Sequence, residues 1–100
     1  MDMRFLMKQA QAMQQKLTEA QQNLRAEGTA GGETVKVVLN GSKELQGISI
    51  SKDVMDPEDP SMLEDLIVAA FKDAAQKVDE GMAKFSGSLT GGLNIPGLKL

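Results

Sequence analysis

Apolar residues return every three or four positions along the first quarter of the chain. This alternation of three and four is the heptad spacing of an α-helix that packs lengthwise on a partner. Good helix formers fill the intervening positions, and residues 3–25 contain no Gly or Pro. We therefore predict a long helix over residues 3–25. Its apolar face, which we call the seam, consists of Met3, Leu6, Ala10, Met13, Leu17, Ala20 and Leu24.

The apolar period shortens to two after this helix. Residues 34–40 alternate between apolar and mostly polar side chains, which predicts a strand, and residues 45–50 predict a returning strand. A weaker alternation over residues 24–30 predicts a first strand before Gly31-Gly32. Together these segments predict a three-stranded antiparallel meander.

Two details of this sheet follow from its small residues. The dipeptide Asn40-Gly41 predicts a type I′ hairpin turn between the second and third strands. Leu45 is out of phase with Ile48, and Gly47 lies between them, which predicts a β-bulge.

The second half of the chain predicts a second long helix. Ser61 followed by Glu64 has the spacing of a capping box, and an apolar stripe then continues to Phe85. Residues 86–100 are rich in Gly and Ser, so we expect a flexible tail there and a single α/β domain over residues 1–85. The predicted fold class is α+β: a long N-terminal helix, a three-stranded antiparallel sheet and a long C-terminal helix.

Composition and size add three expectations. With 41% hydrophobic residues, seven Met and three Phe but no Trp or Tyr, the core should be aliphatic and filled by methionine. The absence of Cys excludes disulfides and fits a cytoplasmic location, and no apolar run is long enough to span a membrane. A domain of 100 residues cannot cover a helix roughly 33 Å long, so we expect a homodimer.

The residue types present make catalysis and cofactor binding unexpected. The chain has no His, Cys or Tyr, and no catalytic motif stands out. The acidic segment 53–65 fails as a calcium loop because Met55 and Pro57 occupy ligand positions. Neither glycine pair is followed by the Lys-Ser/Thr of a phosphate loop. We expect no enzyme activity, no metal, no cofactor and no small-molecule substrate.

Charge is distributed unevenly around a net value of −3. Residues 1–52 hold seven bases against five acids, whereas residues 53–100 hold four against nine. Arg4 and Lys8 lie on the face of the first helix opposite the seam. If both long helices leave the sheet in one direction, their far ends form a basic tip suited to phosphate backbones. The tip residues are Arg4, Lys8, Lys77 and Lys84.

Two alternatives stay open at this point. The basic residues also fit an ordinary solvated helix surface, since exposed Lys and Arg are common. The Gln-rich first helix and the apolar tail also fit a protein-interaction module that docks on another protein.

Several segments resemble the YbaB/EbfC nucleoid-associated proteins. The resemblance rests on Leu6 to Lys16, on Gly31-Gly32 before the Val-rich strand, on Met62 to Ala74 and on Ile95 to Leu98. It implies a small homodimer whose protruding helices are shaped like tweezers. It also implies binding of double-stranded DNA with little or no sequence preference, and a role in organising the bacterial nucleoid.

Overall fold

The protein folds as two long helices and one three-stranded sheet, in the order helix, three strands, helix. The computed structural model describes residues 2–91. The elements are α1 (Met3–Asn23), β1 (Ala26–Ala30), β2 (Val35–Leu39), β3 (Leu45–Ile50), a short 3₁₀ helix (Lys52–Val54) and α2 (Pro60–Gly91). The α+β fold class predicted from the sequence is confirmed.

Helix α1 begins where the side chain of Asp2 accepts a hydrogen bond from the backbone N–H of Arg4, at 3.0 Å. This side chain satisfies one of the amide donors that every helix leaves unpaired in its first turn. Leu24 follows the helix in an extended conformation and leads the chain into β1. The helix thus ends two residues before the predicted boundary at residue 25.

The three strands form an antiparallel sheet in the order β1-β2-β3. In the β2–β3 pair, Val38 lies opposite Gly47 but the next residue, Leu39, lies opposite Leu45. Gln46 is therefore the extra residue, and the predicted bulge is confirmed.

The predicted type I′ turn at Asn40-Gly41 is wrong. Neither of its residues has the positive φ that this turn requires, whereas Lys43 has a φ of 61°. The Asn40 carbonyl accepts a hydrogen bond from the Lys43 N–H, and the Asn40 side chain accepts from the N–H groups of Ser42 and Glu44. Asn40 therefore organises a longer loop through its own side chain.

Helix α2 also departs from the prediction at both ends. It begins at Pro60, with Asp59 accepting a hydrogen bond from the Met62 N–H at 3.4 Å, so Ser61 is not the cap. It continues past Phe85 to Gly91. The remaining tail residues lie outside the described part of the chain, and the division into a domain and a flexible tail stays a prediction.

The core lies between α2 and the first two strands. Among the described residues, its buried apolar side chains are Ala26, Val35, Val37, Leu39, Ala70, Ala74 and Val78. The core is aliphatic, as predicted, but it is not filled by methionine. Of the methionines in the described residues, Met82 packs against the core, whereas Met3, Met7, Met13, Met55 and Met62 are exposed.

Candidate nucleic-acid interface

Three elements meet at the base of α1. The side chain of Leu24 lies against Gly81 of α2, where an added β-carbon would be 3.2 Å from a leucine methyl group. On the other side, Gly41 of the β2–β3 loop lies against the backbone of Gln21. The same loop is joined to α2 by an ion pair between Lys43 and Asp79, whose charged atoms are 2.9 Å apart. The base of α1 is thus held between the loop and α2.

Beyond this base, α1 extends freely into solvent. None of residues 3–23 is buried, and residues 3–16 are all exposed. The roughly 1.5 Å rise per helical residue places Arg4 about 30 Å from Leu24. The longest dimension of the molecule is correspondingly 68 Å. The upper seam is uncovered: Met3 is 71% exposed, and Leu6 and Met13 are also exposed.

Helix α2 leaves the sheet from the same end as α1. It runs antiparallel to β1, since Leu66 contacts Gly31, Ala74 contacts Gly28, and Gly81 contacts Leu24 where β1 begins. The segment from Gly81 to Gly91 therefore continues beyond the end of the sheet to which α1 is joined.

The four basic residues predicted for the tip do not come together within the chain. Arg4 and Lys8 lie at the free end of α1, about 30 Å from its base. Lys84 is exposed less than one helical turn beyond Gly81, close to the base of α1. In the described part of the chain, no carboxylate forms an ion pair with any of these three.

Lys77 lies at the sheet, so its predicted position at the tip is wrong. Its ammonium group donates a hydrogen bond to the backbone carbonyl of Glu27, at 3.0 Å, and pairs with Asp73 at 3.3 Å. Asp73 in turn accepts a hydrogen bond from the backbone N–H of Thr29, also at 3.0 Å. The sequence placed Lys77 on α2 but carried no signal that α2 lies along the edge of β1.

This contact gives Asp73 an unusual electrostatic environment. The hydrogen bond from Thr29 and the neighbouring ammonium of Lys77 hold the pKa of the Asp73 carboxyl below its usual value. Together the two side chains bind backbone groups on the free edge of β1. They therefore cover an edge that would otherwise be open to pairing with another strand.

The opposite strand of the sheet is uncovered on its core-facing side, a feature that the sequence analysis missed. Ile48 lies opposite the buried Val37, and Leu45 lies opposite the buried Leu39, so both share the core face. Leu45 is nevertheless 56% exposed and Ile48 47% exposed, because α2 packs on β1 and β2. We call these two side chains the open face.

The acidic segment 53–65 lies around the 3₁₀ helix and the start of α2, away from the free end of α1. Within residues 2–91, no three acidic side chains are placed to hold a metal ion together. In the same residues, neither helix is long and apolar enough to cross a bilayer.

Comparison with known proteins agrees with the resemblance seen in the sequence. The sequence model of the YbaB/EbfC DNA-binding family matches residues 1–93. The chain belongs to this family.

Relatives share its sequence over nearly its whole length. A nucleoid-associated protein of Syntrophobacter fumaroxidans is 45% identical, covering 94% of this chain and 88% of its own. One from Mycobacterium tuberculosis is 48% identical, covering 95% of this chain and 74% of its own.

The fold also matches a solved structure of low sequence identity. An uncharacterised protein of Helicobacter pylori, known from a crystal structure, superimposes with a TM-score of 0.69 at 22% identity. The match covers 90% of this chain and 98% of the other. The helix, three-stranded sheet and helix of this chain therefore form a fold that is also seen in an experimental structure.

Proposed function

We propose that the protein is a nucleoid-associated homodimer that binds double-stranded DNA with little sequence preference through the free end of α1. The observation that carries the proposal is the pair Arg4 and Lys8. Both lie at the end of an exposed helix, and neither has a carboxylate partner within the described residues. Membership of a DNA-binding family and the names of the bacterial relatives support this function.

The homodimer is supported by two uncovered apolar surfaces. The upper seam of α1 exposes Met3, Leu6 and Met13, and the open face of β3 exposes Leu45 and Ile48. Exposed apolar groups this numerous favour association, because burial of apolar surface contributes about 25 cal/mol per Å². A second copy supplies both surfaces again, and a two-fold dimer buries them symmetrically.

DNA binding by this dimer is electrostatic. Each protomer contributes Arg4 and Lys8 at its free helix end, with Lys84 nearer the base, so the dimer presents two such sets. Lys77 contributes less, because Asp73 already neutralises its charge at the sheet. The exposed amides of α1 are mostly Gln, and the described residues offer no ordered set of Arg and Asn for reading base edges. Low sequence preference follows from this composition. The names of the relatives support a location at the nucleoid, in the cytoplasm.

Fluorescence anisotropy titrations test the proposed function directly. Two labelled duplexes of equal length and unrelated sequence are titrated with the full chain at about 50 mM salt, where phosphate contacts are strong. We expect binding to both, with affinities that differ less than about tenfold. If neither duplex is bound, the protein-interaction module becomes the favoured function. If only one duplex is bound, the low sequence preference is contradicted.

A further inference from the structure

Phe5 is an exposed aromatic side chain at the free end of α1. It lies in the first turn of α1 and is 59% exposed, whereas Phe71 is 39% exposed and Phe85 is half-buried. A large apolar ring on the most distant part of a protruding helix gains nothing for folding in that position. Met3, Leu6 and Met7 are also exposed near it, and an apolar cluster at a free helix end indicates a partner outside the protomer.

The neighbours of Phe5 indicate the chemistry of that partner. Arg4 precedes it and Lys8 follows it by three residues, which places Lys8 beside Phe5 on the helix surface. Successive residues are about 100° apart around a helix, so Phe5 lies roughly 100° from both Leu6 of the seam and Arg4. The ring is therefore set between the seam and the basic face, next to two cations that have no carboxylate partner within residues 2–91.

We propose that Phe5 inserts between base pairs of the bound duplex and bends it. This inference rests on the proposed function, because it needs α1 to be the DNA-binding element. Arg4 and Lys8 contact phosphates beside the inserted ring, and the ring stacks on a base exposed at the opened step. Apolar wedges beside cations bend DNA in this way in several architectural proteins.

Insertion of a single ring is compatible with low sequence preference. Every base presents an aromatic face, so stacking does not depend on a particular base edge. The energy needed to open a step does vary, and pyrimidine–purine steps such as TA open most readily. The wedge therefore favours flexible steps without selecting a defined sequence.

The test measures bending and unstacking separately from binding. A duplex of about 30 base pairs with repeated TA steps carries a donor and an acceptor dye at its ends. A second copy carries 2-aminopurine in place of adenines at those steps. We expect the parent protein to increase energy transfer between the dyes and to raise 2-aminopurine fluorescence. Phe5→Ala should lose both signals and roughly tenfold in affinity, while the dependence of affinity on salt stays unchanged.

Met7→Ala is the matched control. Met7 is 60% exposed on the same turn of α1, so its truncation removes a similar amount of exposed apolar surface. It lies on the other side of the helix from Phe5, and we expect bending and unstacking to be unchanged. Light scattering and thermal unfolding should give the same mass and melting temperature for both variants and the parent.

Three results would overturn the inference. The first is a parent protein that binds the duplex without bending or unstacking it. The second is Phe5→Ala that bends DNA as well as the parent does. The third is Phe5→Ala that is monomeric, which would assign Phe5 to the protein interface. A parent that does not bind the duplex at all would instead overturn the proposed function on which the inference depends.

Discussion

Gly28 of β1 lies so close to Ala74 of α2 that a β-carbon on Gly28 would be 2.2 Å from the Ala74 backbone nitrogen. The same β-carbon would be 2.2 Å from the Ala70 carbonyl oxygen. Because both neighbours are helix backbone atoms, they cannot move aside as a flexible side chain could. The small residues on both elements thus allow α2 to pack directly on the strand.

We predict that Gly28→Ala lowers the free energy of unfolding by roughly 2–3 kcal/mol, because α2 must shift away from β1. Urea denaturation monitored by far-ultraviolet circular dichroism measures this change. Gly47→Ala is the control, since an added β-carbon there meets no atom within 4 Å. We expect it to change stability by less than about 0.5 kcal/mol. Equal stability of Gly28→Ala and the parent would refute the close packing described.

The contacts of Asp73 predict a dependence of stability on pH. Its pKa is lowered in the folded state by the Thr29 hydrogen bond and by Lys77, so the ionised carboxylate stabilises the fold. This contribution is present above the pKa of the unfolded chain, about 3.9, and is lost as the pH falls through the folded-state value. At pH 7, Asp73→Asn should have a lower free energy of unfolding than the parent, and the two values should converge as the pH falls below the folded-state pKa of Asp73.

Urea unfolding of both proteins at several pH values measures this convergence. Glu33→Gln serves as the control, because it also removes one exposed carboxylate but none that pairs with a cation in the described residues. As the pH is lowered from 7, the difference in free energy of unfolding between Glu33→Gln and the parent should change less than the difference for Asp73→Asn. If the free energies of unfolding of Asp73→Asn and the parent differed by the same amount at all pH values, ionisation of Asp73 would not contribute to stability as proposed.

The open face of β3 predicts a variant that dissociates without unfolding. Ile48→Lys places a charge on a surface that the proposed homodimer buries, at a cost of several kcal/mol if the charge stays unpaired. Ile48 is already half-exposed in the protomer, so the fold should persist. Light scattering should give the mass of one 10.7 kDa chain for this variant and twice that mass for the parent.

Ser49→Lys provides the matched control for this experiment. Ser49 is also exposed and adjacent in β3, but its side chain points to the other face of the sheet. The Ser49→Lys variant should therefore remain dimeric. A monomeric parent would contradict the homodimer, and a dimeric Ile48→Lys would place the interface elsewhere.

The sequence predicted the parts of this fold that depend on local periodicity. Helix α1, the strand from Val35 to Leu39 and the bulge near Gly47 follow from spacing alone. The packing role of the seam stays a prediction. The turn at Asn40-Gly41 was wrong because the Asn40 side chain binds the loop backbone and moves the positive φ to Lys43. A dipeptide preference contains no information on such a side-chain contact.

The candidate site was less predictable, because it depends on how the helices are placed on the sheet. The sequence placed Arg4 and Lys8 on the face of α1 opposite the seam, and their binding to DNA stays a prediction. Lys77 was not placed correctly, since its contact with Glu27 joins residues fifty positions apart. The open face was missed for a related reason: the alternation around Ile48 predicts a face for each side chain but not which strands α2 covers.

Salt-dependent DNA affinity tests the central claim, that the free end of α1 binds the phosphate backbone, most directly. Anisotropy titrations of the parent at several salt concentrations should give a slope of log affinity against log salt of roughly −3 to −5, from about three to six phosphate contacts at about 0.9 counterions each. The double variant Arg4→Glu with Lys8→Glu should abolish binding and remain dimeric. Lys52→Glu with Lys72→Glu makes the same change in net charge at exposed lysines elsewhere and should bind much more tightly than the tip variant. If the tip variant bound DNA as tightly as the parent, α1 would not be the binding element.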